Sequence, residues 1–353
     1  MRLRDGLVAA RGHLVFIAAL LCSFALIFWL DRGAGGLRTD AAIQTTDRVV
    51  ATAAALPVRP LSESDPEQLQ WARVAWRYFE NNTDPATGLA NAADNYHSTT
   101  MWDTGSYLIG LVSAHRLGLV DATEFDRRVT AAASSLARLA LFDGLLPNKA
   151  YDTSSLAMTD YNNKASERGI GWSALDIARL VVALEAISTA YPGHAGEIAE
   201  AMSRWQLDAL VDDGELVGAA VDLSGATVLV QEGRTGYEEY GAKALMLLGL
   251  DAVKAVQVER HVVYHEVEAL EIAVDSRLIG NASPGFATSE PYMLDGLEFG
   301  FDSVSQVLAS NIYRAQKSRF ATTGHLTAVS EGQLSREPTS PTRLCGAVVR
   351  PGR

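Results

Sequence analysis

"GWSALDIARLVVALEAI", residues 171–187, opens on small, aromatic and acidic residues and then turns strongly apolar at helical spacing. Two other stretches repeat that change of character: "WDTGSYLIGLVSAHRLGL", 102–119, and "GYEEYGAKALMLLGL", 236–250. What precedes each one matters as much. Residues 82–102, 143–171 and 211–235 are long, polar, glycine-bearing connections, whereas "GLVD" after Leu117 and "YPGH" from Tyr191 are tight turns. Antiparallel helix pairs joined alternately by short and long connections put all the long loops on one face of the stack, where binding sites collect.

That pattern predicts an all-α chain, an α/α toroid whose inner helices point their N-termini into a common cleft; an ordinary helical bundle is the plainer alternative. The first helix starts near "SDPEQLQWARVAWRYFENN", capped by Ser64 or Asp65, with Pro66 in its first turn. Further helices are predicted near 103–117, 122–141, 172–190, 194–210, 236–249 and 303–319, and "VEALEIAVDSRLI" reads as a strand or hairpin.

The N-terminus is of another kind. "LVFIAALLCSFALIFWL", 14–30, is an uninterrupted apolar run long enough to span a thin hydrocarbon core, preceded by Arg2, Arg4 and Arg11. It predicts an uncleaved anchor, with residues 1–13 in the cytoplasm and the rest beyond the inner membrane, in the periplasm of a bacterium. Residues 31–62 are small, polar and unpatterned and read as a linker.

A net charge of -12 over 353 residues, with no basic run, argues against nucleic acid as a partner. Cys22 lies in the apolar run and Cys345 near the end, so no disulfide can cross the globular part and no Cys-rich metal site or cysteine nucleophile is indicated. His261 and His265 have metal-ligand spacing for a helix, but β-branched neighbours disfavour a helix there, and no metal or cofactor is expected. No glycine-rich phosphate loop and no nucleophile elbow occurs.

The three helix openings supply Trp102 and Asp103, Trp172 and Asp176, and Tyr237 beside Glu238 and Glu239, with Glu232 just upstream. Sugars need this mixture: aromatic faces pack on pyranose rings while carboxylates and amides satisfy hydroxyls. Cleaving a glycosidic bond requires one carboxylic acid to protonate the departing oxygen and a second carboxylate to activate water or attack. Each residue also has a plainer role. Asp103 suits a helix cap, Trp102 and Trp172 suit a core, the glutamates suit a helix N-terminus, and Asp176 could pair with Arg179.

"YFENNTDPATGLA", "TTMWDTGSYLIGLVSAHRLGL", "LPNKAYDT", "GIGWSALDIARL", "QEGRTGYEEYGAKA" and "SEPYMLDGLEFG" resemble, in order, the motifs of the bacterial domain-of-unknown-function family 3131, from about Trp71 to about Glu331. That family is similar to α/α-toroid glycosidases of the β-1,2-glucanase and cyclic-glucan-synthase type. The resemblance of "GYEEYGAK" to their "FEYLMP" implies Glu238 as the leading carboxylate. Glu239 precedes Tyr240 just as Glu238 follows Tyr237, but a usual glutamine at the second position in family 3131 favours Glu238. Glu232 opens the family's "EGR" motif and becomes the second candidate.

The expectation is thus a membrane-anchored glycoside hydrolase or transglycosylase with its toroid at 63–331. Glu238 or Glu232 would be the general acid and Asp103 a helper or the second carboxylate, with Trp102, Trp172, Tyr237, Tyr240, Asn148 and Asp176 holding sugar. Its expected partners are an envelope or exported oligo- or polysaccharide, the inner membrane and envelope polysaccharide machinery. A non-catalytic polysaccharide-binding or assembly protein on the same scaffold is the alternative. Residues 332–353, "REPTSP" and what surrounds it, lack a core pattern and depart from the resemblance, so they read as a truncated or frame-shifted tail that leaves the toroid incomplete.

Overall fold

Aspartate, threonine and serine side chains cap the first four helices of the domain. Asp65 caps α1 (Pro66–Asn82) by accepting from Gln68 N at 2.9 Å. Thr100 and Asp103 form a reciprocal capping box at the head of α2 (Met101–Arg116), and Asp121 caps α3 (Ala122–Arg138). Ser173 caps α4 (Ala174–Ala190). These contacts satisfy amide donors that a helix start otherwise leaves unpaired. The computed structural model describes residues 65–277, 287–326 and 346–347, within one unit of the chain, Ala53–Arg353. The apolar run at 14–30, the linker at 31–62 and most of the tail lie outside the described residues. Among the described residues no helix is long and apolar enough to cross a membrane.

The remaining helices are α5 (Ala195–Met202), α6 (Tyr237–Leu247), α7 (Glu290–Glu298) and α8 (Ser303–Thr323). Helix α4 packs along α2 on one side and α6 on the other, while α3 pairs with α5. Ten of the 17 residues of α4 are buried, which an outer helix with one wet face could not be. The α2–α4 contact is close because residue 105 is glycine: a Cβ there would sit 2.8 Å from the Arg179 backbone. Around this seam Tyr107, Leu108, Leu111, Ile177, Leu180, Val181 and Leu245 are wholly removed from water. Burial of such side chains stabilises by roughly 1.5–3 kcal/mol each before entropy is counted.

The chain is not purely helical. The long connections fold into short antiparallel pieces: β1 (Ser98–Thr99), β4 (Ala150–Asp152) and β5 (Met158–Thr159) in one sheet, and β2 (Leu141–Phe142) with β3 (Leu146–Pro147) in another. A third sheet joins β6 (Val211–Asp212), β7 (Glu215–Val221) and β8 (Thr227–Gln231). Asp213 and Gly214, both at positive φ, turn β6 into β7. The hairpin expected around 267–279 exists as β9 (Val262–Val267) and β10 (Leu270–Asp275), so His265 lies on a strand, as its β-branched neighbours require. Ala287–Thr288 (β11) pairs with Gly346–Ala347 (β12).

The helix expected over 194–210 stops at Met202. Trp205 turns into the core, and Arg204 donates to Ala137 O and Leu139 O, closing the end of α3 instead of continuing a helix. Helix α7 was not foreseen.

Candidate active site at the helix starts

Three chain segments meet at the N-termini of α2, α4 and α6. Glu232, just after β8, reaches the first turn of α4, where its Oε2 accepts from Ser173 Oγ at 2.9 Å and Leu175 N at 3.3 Å. A carboxylate belongs there, because unpaired amides and the helix dipole favour negative charge. Glycine at 218 leaves the room: a Cβ at that position would lie 2.5 Å from the Glu232 carboxyl. Asp176 follows on the same turn of α4, its own N–H bonded to Ser173 Oγ at 3.2 Å. Asp103 comes from the first turn of α2, its Oδ2 accepting from Thr100 N and Thr100 Oγ1, both at 2.9 Å.

These three carboxyls share one electrostatic environment. Burial, then the charges of Glu232 and Asp103, push Asp176 up to about 8, against the Ser173 hydrogen bond and the Lys149 ammonium. Burial raises Glu232 above the usual carboxylate range, although Ser173, Lys149 and the α4 amides pull it down. Burial likewise raises Asp103 despite its bonds to Thr100. Acids crowded into a poorly hydrated space cannot all ionise, so near neutrality Asp176 keeps its proton while the group shares the remaining charge. Lys149 is the basic residue acting on both Asp176 and Glu232, and the Tyr161 phenol is raised by burial and then by the same two carboxyls.

Beside the acids, the half-buried Trp102 ring meets Tyr237 edge-on at 5.9 Å, with Tyr240 behind at 6.2 Å. The Arg179 guanidinium stands 5.8 Å over Trp102. Tyr237 donates its hydroxyl to Glu290 at 2.6 Å, which fixes the ring as part of the wall.

Several expected site residues serve the scaffold. Trp172 is 2% exposed and donates Nε1 to Val217 O at 3.1 Å, with its ring edge-on to Phe142, so it faces the core. Asn148 is fully buried, its amide donating to Ala150 O and Thr159 O while Oδ1 accepts from Ile170 N. Tyr240 is also fully buried, clamped between Arg179 and Glu298. The Arg179 partner is therefore Glu298, not Asp176.

Glu238 is buried in a salt bridge with Arg277 and accepts from Gln231 Nε2 at 3.1 Å. Glu239 turns back to accept from Gly236 N, as suits a helix N-terminus, and burial pushes it up to about 8. Lys243 pairs with Asp295 and Asp302.

Lys149, Tyr161 and Glu290 were not foreseen as part of this site. Lys149 stood in "LPNKAYDT", where a lysine within a long loop before an inner helix was the available signal. Among the described residues no group of three or more His, Cys, Asp or Glu side chains is placed to hold a metal ion.

Helix starts brought together, each fed by a long connection, follow an α/α-toroid scaffold of the kind seen in glucoamylase and glucanase structures. A glucoamylase candidate from Bacteroides fragilis shares it at 14% identity, over 79% of this chain and 74% of that one, with a TM-score of 0.53. The endo-β-1,2-glucanase from Chitinophaga pinensis, solved with sophorotriose and glucose, shares it at 10% identity over 76% and 74%, TM-score 0.51. The β-1,2-glucanase from Parabacteroides distasonis does so at 12% over 79% and 46%, TM-score 0.51. At such identities the likeness speaks for the fold. No curated protein matches the chain. By sequence, the chain belongs to the family described as Protein of unknown function (DUF3131), which it matches over residues 70–341.

Proposed function

We propose that this protein is a membrane-anchored glycoside hydrolase or transglycosylase that acts on an envelope or exported glucan, with its globular part in the periplasm. One observation carries the reading: Asp176, held protonated up to about pH 8, lies among Glu232 and Asp103 from two other segments. The half-buried Trp102 and Tyr237 supply aromatic surface at the same helix starts.

In this reading Asp176 gives its proton to the departing glycosidic oxygen. Glu232, with one oxygen tied to Ser173 and Leu175, offers the other to a water or to the anomeric carbon. Asp103 and Lys149 set how the shared charge divides between the two. Trp102 and Tyr237 receive the apolar face of a sugar ring. Glu238, ion-paired with Arg277 and accepting from Gln231, anchors the loop that carries Glu232. The β-1,2-glucanases among the structural neighbours support a β-1,2-linked glucan as the first substrate to try. The apolar run at 14–30 and its arginine flank support the anchor and the periplasmic side.

Product analysis after incubation of the full chain in detergent with a panel of α- and β-glucans tests this. Shorter oligosaccharides from at least one glucan, absent in Asp176→Asn, are expected. Glucan retention without any product would move the protein to the polysaccharide-binding class.

A further inference from the structure

A cavity of about 320 Å³, at the small end of the roughly 300–1,000 Å³ usual for small-molecule sites, opens between α6, α7, α8 and the turn around Val258. None of Asp103, Asp176, Glu232 or Trp102 lines it. Val256, Val258, Leu308 and the ring of Tyr292 form an apolar wall, Lys243, Asp295 and Asp302 form an ionic end, and the exposed Glu259 adds a further carboxylate to the lining.

The charges at that end do not balance. Lys243 Nζ is shared between Asp295 Oδ1 at 2.5 Å and Asp302 Oδ2 at 2.6 Å, one positive charge against two carboxylates. Asp302 is otherwise well served, since its Oδ1 caps α8 by accepting from Val304 N and Ser305 N, both at 2.8 Å. Asp295 is not: its side chain is 5% exposed, and its buried Oδ2 has no hydrogen-bond partner. A buried acceptor without a donor costs on the order of 1–3 kcal/mol, more where it carries charge. Glu239, also in the lining, stays protonated near neutrality and adds a polar wall but no counter-charge.

With Lys243 in place, one further monocation would balance Asp295 and Asp302. With one under-served carboxylate and an apolar wall, the surroundings suit an ammonium on a hydrocarbon body better than a metal ion, which would need several oxygen ligands. We propose that this cavity is a binding site for a small amphipathic amine, its ammonium at Asp295 and its apolar body against Val256, Val258, Tyr292 and Leu308.

The test is titration calorimetry on the full chain in non-ionic detergent with 2-phenylethylammonium, and with 2-phenylethanol as its uncharged match. Neither probe is a carbohydrate, so the result is independent of any glucan activity. Saturable ammonium binding with a Kd of ~1 mM or tighter is expected, with the alcohol at least about tenfold weaker. Asp295→Asn should weaken ammonium binding by about tenfold or more. Leu308→Trp keeps every charge, fills the apolar wall and should abolish binding, and it decides the matter if Asp295→Asn no longer melts cooperatively. Absence of saturable binding to the wild-type chain, equal affinity for ammonium and alcohol, or undiminished binding in a folded Asp295→Asn or Leu308→Trp chain would overturn the proposal.

Discussion

A carboxyl held at about 8 is a proton donor at neutral pH, and the enzyme reading makes Asp176 that donor. The kcat/KM profile should then fall on its alkaline side as pH rises through about 8, because the donor loses its proton there. Asp176→Asn should lower kcat by on the order of a hundredfold or more while glucan binding survives, measured by initial rates and by retention on the same glucan. Glu239 carries a different consequence, for stability. Between the ordinary carboxylate range and about 8, folded Glu239 holds a proton that the unfolded chain has released, so its contribution is fully present below that window and is lost as pH rises across it. Glutamine cannot ionise. The Tm of Glu239→Gln relative to wild type should therefore climb between about pH 5 and about pH 9, read by thermal melts in matched buffers; a constant difference would mean that Glu239 is solvated. Sequence located these acids but not their duties. "YEEY" offers two neighbouring glutamates of equal standing, and only Arg277, about forty residues on, makes one of them an ion-pair partner. Trp172 and Asn148 sit in motifs that read as ligand contacts, yet the polar groups of both are spent on backbone carbonyls and amides that no spacing rule names.

At the scale of elements, helix starts were legible because their signals are local. Asp65, Thr100 and Asp121 each lie within three residues of the amide they cap, and the short turns after Leu117 and Tyr191 follow from the chain alone. The sheet of β6, β7 and β8 was hidden inside what reads as a polar loop, although "DDGEL" carries an Asp-Gly turn that marks its first hairpin, β6 to β7. Its pairing places Glu232 opposite α4, so missing it meant missing why Glu232 and Asp176 meet. Close approach of α2 and α4 is the other element-scale condition for the site, since it brings Asp103 toward Asp176. Gly105→Ala would push a methyl against the Arg179 backbone, which cannot yield without parting the helices. A loss of about 1–3 kcal/mol is expected by denaturant unfolding, with a fall in activity larger than stability alone explains. Gly118→Ala makes the control for added bulk: a Cβ there meets nothing within 4 Å, although its φ of +70° adds some backbone strain.

For the whole molecule, the proposed anchor raises the question of the side of the membrane on which these acids and aromatics would work. The chain is acidic overall, with a net charge of -12, so electrostatic attraction to anionic lipid would not hold it at a surface, and in the proposed reading attachment falls to the apolar run at 14–30. Arg2, Arg4 and Arg11 precede that run. Arginines close to a span stay in the cytoplasm, so the proposal puts everything after Asp31 across the membrane. A polymer destined for the envelope is accessible there and absent from the cytosol, which ties the topology to the proposed substrate. Alkaline phosphatase, active only after export, and a fluorescent protein that matures only in the cytoplasm can each be fused after Leu326, beyond α8. Phosphatase activity without fluorescence is expected. Replacing the three arginines by glutamate should weaken or invert that pattern, because the charge bias sets the orientation. Fluorescence without phosphatase activity in the wild-type fusion would place the cleft in the cytoplasm and remove an envelope glucan from the reading, whatever the chemistry of Asp176.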